Sequence, residues 1–263
     1  KSAYIYNGEE KSILRKAALT GLASDICFSI FSETPVINNE AINKDEITPI
    51  ANNSRNKILS GLLRNVLEPN LGLTGTGQEV SIMRSTLIRK GVLLDDEEGT
   101  RINLNPSDQL MKGVLDEIVS FIMDAKKKGT ASFEQLYRML TVPEYHIGIR
   151  SGVIPIYIAA VFHEYSEDII LQNEFGQLPL SADTLQTINA SPEDYTLVFL
   201  EWNPEKQEFV SKLSEIFSNY VIEVEKNLSA YDFVASAMKR WYLSLPRYAK
   251  ESKGIGDKES SKR

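Results

Sequence analysis

Three glycines within six residues, in the stretch GLTGTGQE (residues 72–79), constrain the fold of this chain more than any other feature. Glycine at that density ends a regular element and lets the backbone turn sharply. Before it, Ile50, Ile58, Leu62 and Leu63 keep helical spacing, opened by Thr48-Pro49 as N-cap and first-turn proline. After it, Val80, Met83 and Leu87 stand at i, i+3 and i+7, and Gly91 stops the run. Val92-Leu93-Leu94 and Arg101-Ile102-Asn103-Leu104 then flank an acidic turn, Asp95 to Thr100, as a β-hairpin does. Helix, glycine loop, helix, hairpin is the order of a winged helix, whose second helix usually meets a partner.

The order recurs. Asn105-Pro106 is expected to cap a helix through Ile122 that ends in Lys126-Lys127-Lys128-Gly129, and Ser132-Phe133-Glu134-Gln135 reads as a capping box for a short helix to Leu140. VIPIYIAAVFHEY is a third helix, followed by a hairpin from Asp168 to Leu180 around Asn173-Glu174-Phe175-Gly176. The expected fold is therefore mainly α with small β-hairpins: tandem winged-helix-like units followed by a helical segment. The boundaries are 1–106 for a helical N-terminal part with the first unit, 107–180 for the second, 181–249 for a mixed and then helical segment, and 250–263 for a disordered polar tail. Within the first part, Ile13, Leu14, Ala17, Leu22, Ile26 and Ile30 predict a helix over 12–31, broken at Glu33-Thr34-Pro35.

At 263 residues with 42% hydrophobic and 25% charged side chains, the chain can bury a core without staples. No run approaches the roughly 18 apolar residues that span a bilayer, and the N-terminus lacks a signal-peptide pattern. The lone Cys27 excludes an internal disulfide and suits a cytoplasmic location; in the apolar run ICFSIF it is expected to be a buried small hydrophobe. The missing initiator Met leads us to expect a piece of a longer chain.

A net charge of −7 argues against indiscriminate nucleic-acid binding, yet residues 54–90 hold six Lys or Arg against two Glu. Arg84, Arg89 and Lys90 on the helix after the glycines, with Arg55 and Lys57 on the helix before them, are the candidate phosphate contacts of a nucleic-acid interface. Ser81 and Ser85 are expected beside them. Solvated surface charge is the plain alternative, and winged helices also dock proteins.

Other signals carry less chemistry. GLTGTGQE spaces its glycines like a phosphate-binding loop, but Gln78 and Glu79 stand where G-x-x-x-x-G-K-[ST] needs Lys and Ser or Thr. Glu79 would set negative charge against a phosphate; it better suits the first turn of a helix. His163-Glu164-Tyr165-Ser166-Glu167 falls one residue short of H-E-x-x-H, and a solvated helix end is the expected reading over a zinc hydrolase. Asn38-Asn39-Glu40 and Asn43-Lys44 are expected to bond backbone groups in a complicated turn, with contact to a ligand as the alternative. No cofactor, metal or catalytic residue is assigned.

Six stretches, FSETPVINNEAINKDEIT (31–48), SRNKILSGLL (54–63), GTGQEVSIMRSTLIRKG (75–91), YHIGIRSGVIPIYIAAV (145–161), SPEDYTLVF (191–199) and LPRYAK (245–250), together resemble the non-catalytic downstream region of very large bacterial P-loop ATPases in phage-defence islands, of the kind accompanying BREX-type systems. The resemblance implies a segment of a DNA-linked defence ATPase, in which such helical modules carry assembly or DNA contacts. No Walker motif occurs in these residues, so ATPase activity does not transfer and the chain is not expected to be an enzyme. The expected partners are double-stranded DNA and other subunits of a defence complex or the rest of a larger chain, with no membrane. A scaffold that docks protein without nucleic acid is the alternative.

Overall fold

The structure, a computed structural model, describes residues 3–200, 204–222 and 230–251. It opens with a hairpin, β1 (Tyr4–Tyr6) and β2 (Glu9–Lys11), turning on Asn7-Gly8 with positive φ at both residues, the geometry that matches strand twist in a two-residue turn. Helix α1 (Lys16–Ile30) follows, and then an irregular segment, 31–48. Helix α2 (Pro49–Leu62) is capped by Thr48, whose side chain accepts from the Ala51 N–H at 3.2 Å. The glycine loop leads into α3 (Gln78–Met83), which continues as a π turn over Arg84–Ile88. Strands β3 (Leu93–Asp96) and β4 (Gly99–Ile102) close the hairpin, longer than the sequence suggests: Asp95 pairs with Thr100, and Glu97-Glu98 alone make the turn.

Helix α4 (Gln109–Lys128) starts three residues later than Asn105-Pro106 predicts. The cap is Asp108, whose carboxylate accepts from the Met111 N–H at 3.2 Å. Gly129, at φ +89, ends it. Next come β5 (Thr130–Ser132), α5 (Phe133–Thr141), α6 (Ile154–Glu164), β6 (Ile169–Asn173), β7 (Gly176–Leu178), α7 (Ala182–Ala190) and β8 (Thr196–Phe199). Ser132 does stand at the N-cap of α5, but its side chain makes no cap bond; the residue is instead the last of β5, paired with Thr196. The chain ends in α8 (Pro204–Ile216), α9 (Ala230–Ser244) and α10 (Arg247–Glu251), with Phe217 edge-on to Trp241. Of the tail expected over 250–263, Lys250 and Glu251 belong to α10, and the remainder lies outside the described residues. Among the described residues no helix is long and apolar enough to cross a membrane.

Helices dominate and the strands form small antiparallel sheets, as the sequence predicts. The largest sheet has the order β5-β8-β6-β7, so the second hairpin is not a free wing: β6 is bonded on one side to β7 and on the other to β8, which arrives from beyond α7. Helix α6 is apolar on all sides, and every residue from Ile154 to Phe162 is buried. Such a helix is a core element and has no face to present to a groove. The buried side chains make one continuous cluster from Ile37 to Leu197, in which the Phe133 ring meets Phe121 at a tilt and Phe162 edge-on, at centroid separations of 5.1 and 6.1 Å.

The irregular segment 31–48 is held where the sequence places its asparagines. Asn39 donates to the Ser85 hydroxyl at 3.0 Å and accepts from the Ala41 N–H, while Asn43 donates to the Ile37 carbonyl. These bonds set the fully buried Ile42 against Gly152, whose N–H donates to the Lys44 carbonyl at 2.8 Å.

Candidate phosphate-contact surface

The five basic residues singled out by sequence take three different roles. Arg55 is a correction. Helix α2 buries Ala51, Ser54, Arg55, Ile58, Leu59 and Leu62, an i, i+3, i+4, i+7 stripe, so Arg55 points inward and is 4% exposed. Its guanidinium donates to the carbonyls of Gly152 at 3.1 Å and Ser151 at 3.4 Å and to Asn52 Oδ1 at 2.8 Å. Burial lowers its pKa from the usual arginine value. It is tied to the turn entering α6 and does not reach the surface.

Lys57 and Lys90 are spent on carboxylates. Lys57 Nζ lies 2.8 Å from Glu79 Oε1, and this bond, first among the causes, holds the Glu79 carboxyl below its usual range. Lys90 Nζ lies 2.8 Å from Asp108 Oδ2, with only 15% of its side chain exposed; the hydrogen bond from Lys90 lowers the Asp108 pKa and so keeps the α4 cap ionised. Glu79 folds back over the start of α3, where a Cβ on Gly77 would collide with its carboxylate. The glycine loop thus works as a turn, with Asn70, Leu71, Gly72 and Gly75 all at positive φ. The acidic turn helps to fix it: Asp95 accepts from the Asn70 N–H at 3.1 Å.

Arg84 and Arg89 remain. Both are exposed, and neither has a carboxylate partner among the described residues. Ser85, expected beside them, is buried and bonded to Asn39 and to the Ile82 carbonyl, because the π turn rotates it inward. Ser81 stays exposed. A cleft of about 180 Å³ joins Arg84 and Arg89 to Ser81, Asn38 and Thr76, the last two contributed by the irregular segment and the glycine loop. Sequence reading names Asn38 only in a polar turn and Thr76 only in the glycine loop; their neighbourhood with Arg84 depends on the packing of segment 31–48.

Elsewhere, His163 Nδ1 lies 2.9 Å from the Leu62 carbonyl oxygen and ties α6 to the end of α2. No group of three or more His, Cys, Asp or Glu is arranged to hold a metal among the described residues.

Helix α1 departs furthest from expectation. None of its residues is buried; Leu19, Leu22, Ile26 and Ile30 are half-buried, Phe28 is 69% exposed and Cys27 is exposed. Its attachment is at its carboxyl end, where His146 Nδ1 sits 3.0 Å from the Ile30 carbonyl oxygen, Gly148 N–H donates to Thr34 Oγ1 at 2.7 Å and the Phe31 ring rests on Gly148. Between α1 and the body runs an open groove of about 940 Å³, lined by Cys27, Phe28, Phe31, Pro35, Tyr137 and Arg150 among others.

No protein-family model, curated protein or solved structure matches the chain.

Proposed function

We propose that the chain is a non-catalytic assembly module of a large cytoplasmic bacterial antiphage-defence ATPase, docking other subunits or the rest of a longer chain through α1 and contacting DNA only through Arg84 and Arg89. Its winged-helix-like order, helix, glycine loop, helix and hairpin over α2 to β4, is part of this reading. The observation that carries it is α1, a fifteen-residue helix without one buried residue. A lone helix of about that length is marginal in water. A partner that covered the exposed Phe28, which lines the groove together with Cys27, would remove apolar surface from water at about 25 cal/mol per Å².

Cys27 offers a direct test, since it is exposed on this helix and is the sole cysteine. A maleimide should modify Cys27 readily in the isolated chain, and at least about tenfold more slowly in the complex purified from its host, because labelling follows access to the thiol. Equal rates in the two states would remove α1 from the interface.

A second reading, docking with no nucleic-acid contact, is favoured by the inward Arg55 and the paired Lys57 and Lys90. Two arginines give a duplex-binding salt slope of roughly two, against six to ten for proteins that grip a duplex through many phosphates.

A further inference from the structure

The π turn is built by its own side chains. The Ser85 and Thr86 hydroxyls both donate to the Ile82 carbonyl, at 2.9 and 2.8 Å, and compete with the backbone N–H that an α-helix would place there. Tyr157, buried in α6, donates its hydroxyl to the Thr86 carbonyl at 3.1 Å; burial raises its pKa, so it stays a protonated donor. The resulting Arg89 N–H to Arg84 carbonyl bond, 2.9 Å, spans five residues.

The consequence is geometric. In an α-helix, residues five apart point about 140° away from each other at 3.6 residues per turn. In a π turn, residue i+5 stands one turn above residue i, so Arg84 and Arg89 share a face. That face is the wall of the 180 Å³ cleft, whose other polar residues are Ser81, Thr76, Asn38 and Ser85, the last already bonded to Asn39 and the Ile82 carbonyl. The lining residues include no carboxylate. Most guanidinium and ammonium groups nearby are neutralised: Lys57 by Glu79, Arg64 by Glu68, Lys90 by Asp108 and Arg101 by Asp96. Arg84 and Arg89 thus line one cleft without a carboxylate partner, on a chain of net charge −7, and positive charge without a counter-charge attracts anions. Guanidinium forks match tetrahedral oxyanions in bidentate fashion, and the cleft has room for one such group with a few waters, at about 30 Å³ per water.

We propose that the cleft binds a single phosphoryl group, with Arg84 and Arg89 as the charge clamp and Ser81, Thr76 and Asn38 as neutral hydrogen-bonding groups. The phosphoryl group belongs either to a nucleic-acid backbone or to free phosphate. This inference deepens the arginine half of the proposed function and is independent of docking through α1.

The test is titration of the whole chain with inorganic phosphate, and separately with a short DNA duplex, following the guanidinium Nε–Hε signals of Arg84 and Arg89 by NMR. Phosphate should shift both signals saturably. The double variant Arg84→Gln, Arg89→Gln should weaken phosphate binding at least about tenfold, a change of 1.4 kcal/mol or more. Its circular-dichroism spectrum should stay unchanged, and Lys112→Gln should bind as the parent does. Duplex binding that is lost in the double variant identifies the phosphoryl source as nucleic acid. Phosphate binding without duplex binding keeps the cleft as a free-phosphate site and removes DNA from the proposed function. Unshifted guanidinium signals, or a double variant that binds phosphate as well as the parent, would overturn the cleft.

Discussion

Arg55 and Arg84 carry the same side chain on helices adjacent in the fold, and their surroundings give them opposite work. Arg55 satisfies two carbonyls at the entry to α6 from inside the core, whereas Arg84 stands in solvent without a counter-charge. Replacing Arg55 by Gln leaves those carbonyls short of donors and opens space around them. Urea denaturation should therefore show a loss of about 2–4 kcal/mol. Arg84→Gln should stay within about 0.5 kcal/mol of the parent, as surface changes do. The difference between them was legible in the sequence, because Arg55 lies four residues after Ala51 and three before Ile58, on the apolar stripe. Grouping basic residues by sign alone, without asking which face each occupies, hides it. The fates of Lys57 and Lys90 were not legible: Glu79 lies 22 residues from one, and Asp108 lies 18 from the other.

At the scale of elements, periodicity and caps located nearly every helix, since those signals are local. Thr48-Pro49 and the hairpin at Asp95 to Thr100 are examples, and α6 shows in its unbroken apolar run that it must be buried. What escaped is what depends on distant chain. The seat of β8 between β5 and β6 is set by pairing across more than twenty residues, and the π turn depends on Tyr157 and on the crowding of two hydroxyls at one carbonyl. Gly152 is another such element. A Cβ there would lie 2.6 Å from the Lys44 carbonyl oxygen and closer still to that of Ile42, both backbone atoms that cannot swing aside. Gly152→Ala should cost about 3 kcal/mol or more. Gly113→Ala, in open space on the exposed face of α4, should gain about 0.5–1 kcal/mol from helix propensity and a less flexible unfolded chain. Thermal unfolding of the pair of variants checks both signs; equal shifts would mean that segment 31–48 is not packed on Gly152.

For the whole molecule, the contrast lies between a continuous core from Ile37 to Leu197 and an amino-terminal helix that contributes nothing to it. The apolar residues of α1 read in the sequence as one more buried stripe, because a sequence pattern reports that a face is apolar and not which surface covers it. The central claim is that this face waits for a partner. Native-state hydrogen exchange of the isolated chain tests it most directly, because protection measures the free energy of local opening. Amides of α6 should exchange only through global unfolding, and those of α1 should exchange fastest among the helices, with opening free energies of at most about 1–2 kcal/mol. Protection of α1 equal to that of α6 would show a helix already supported by its own chain, and would contradict the claim.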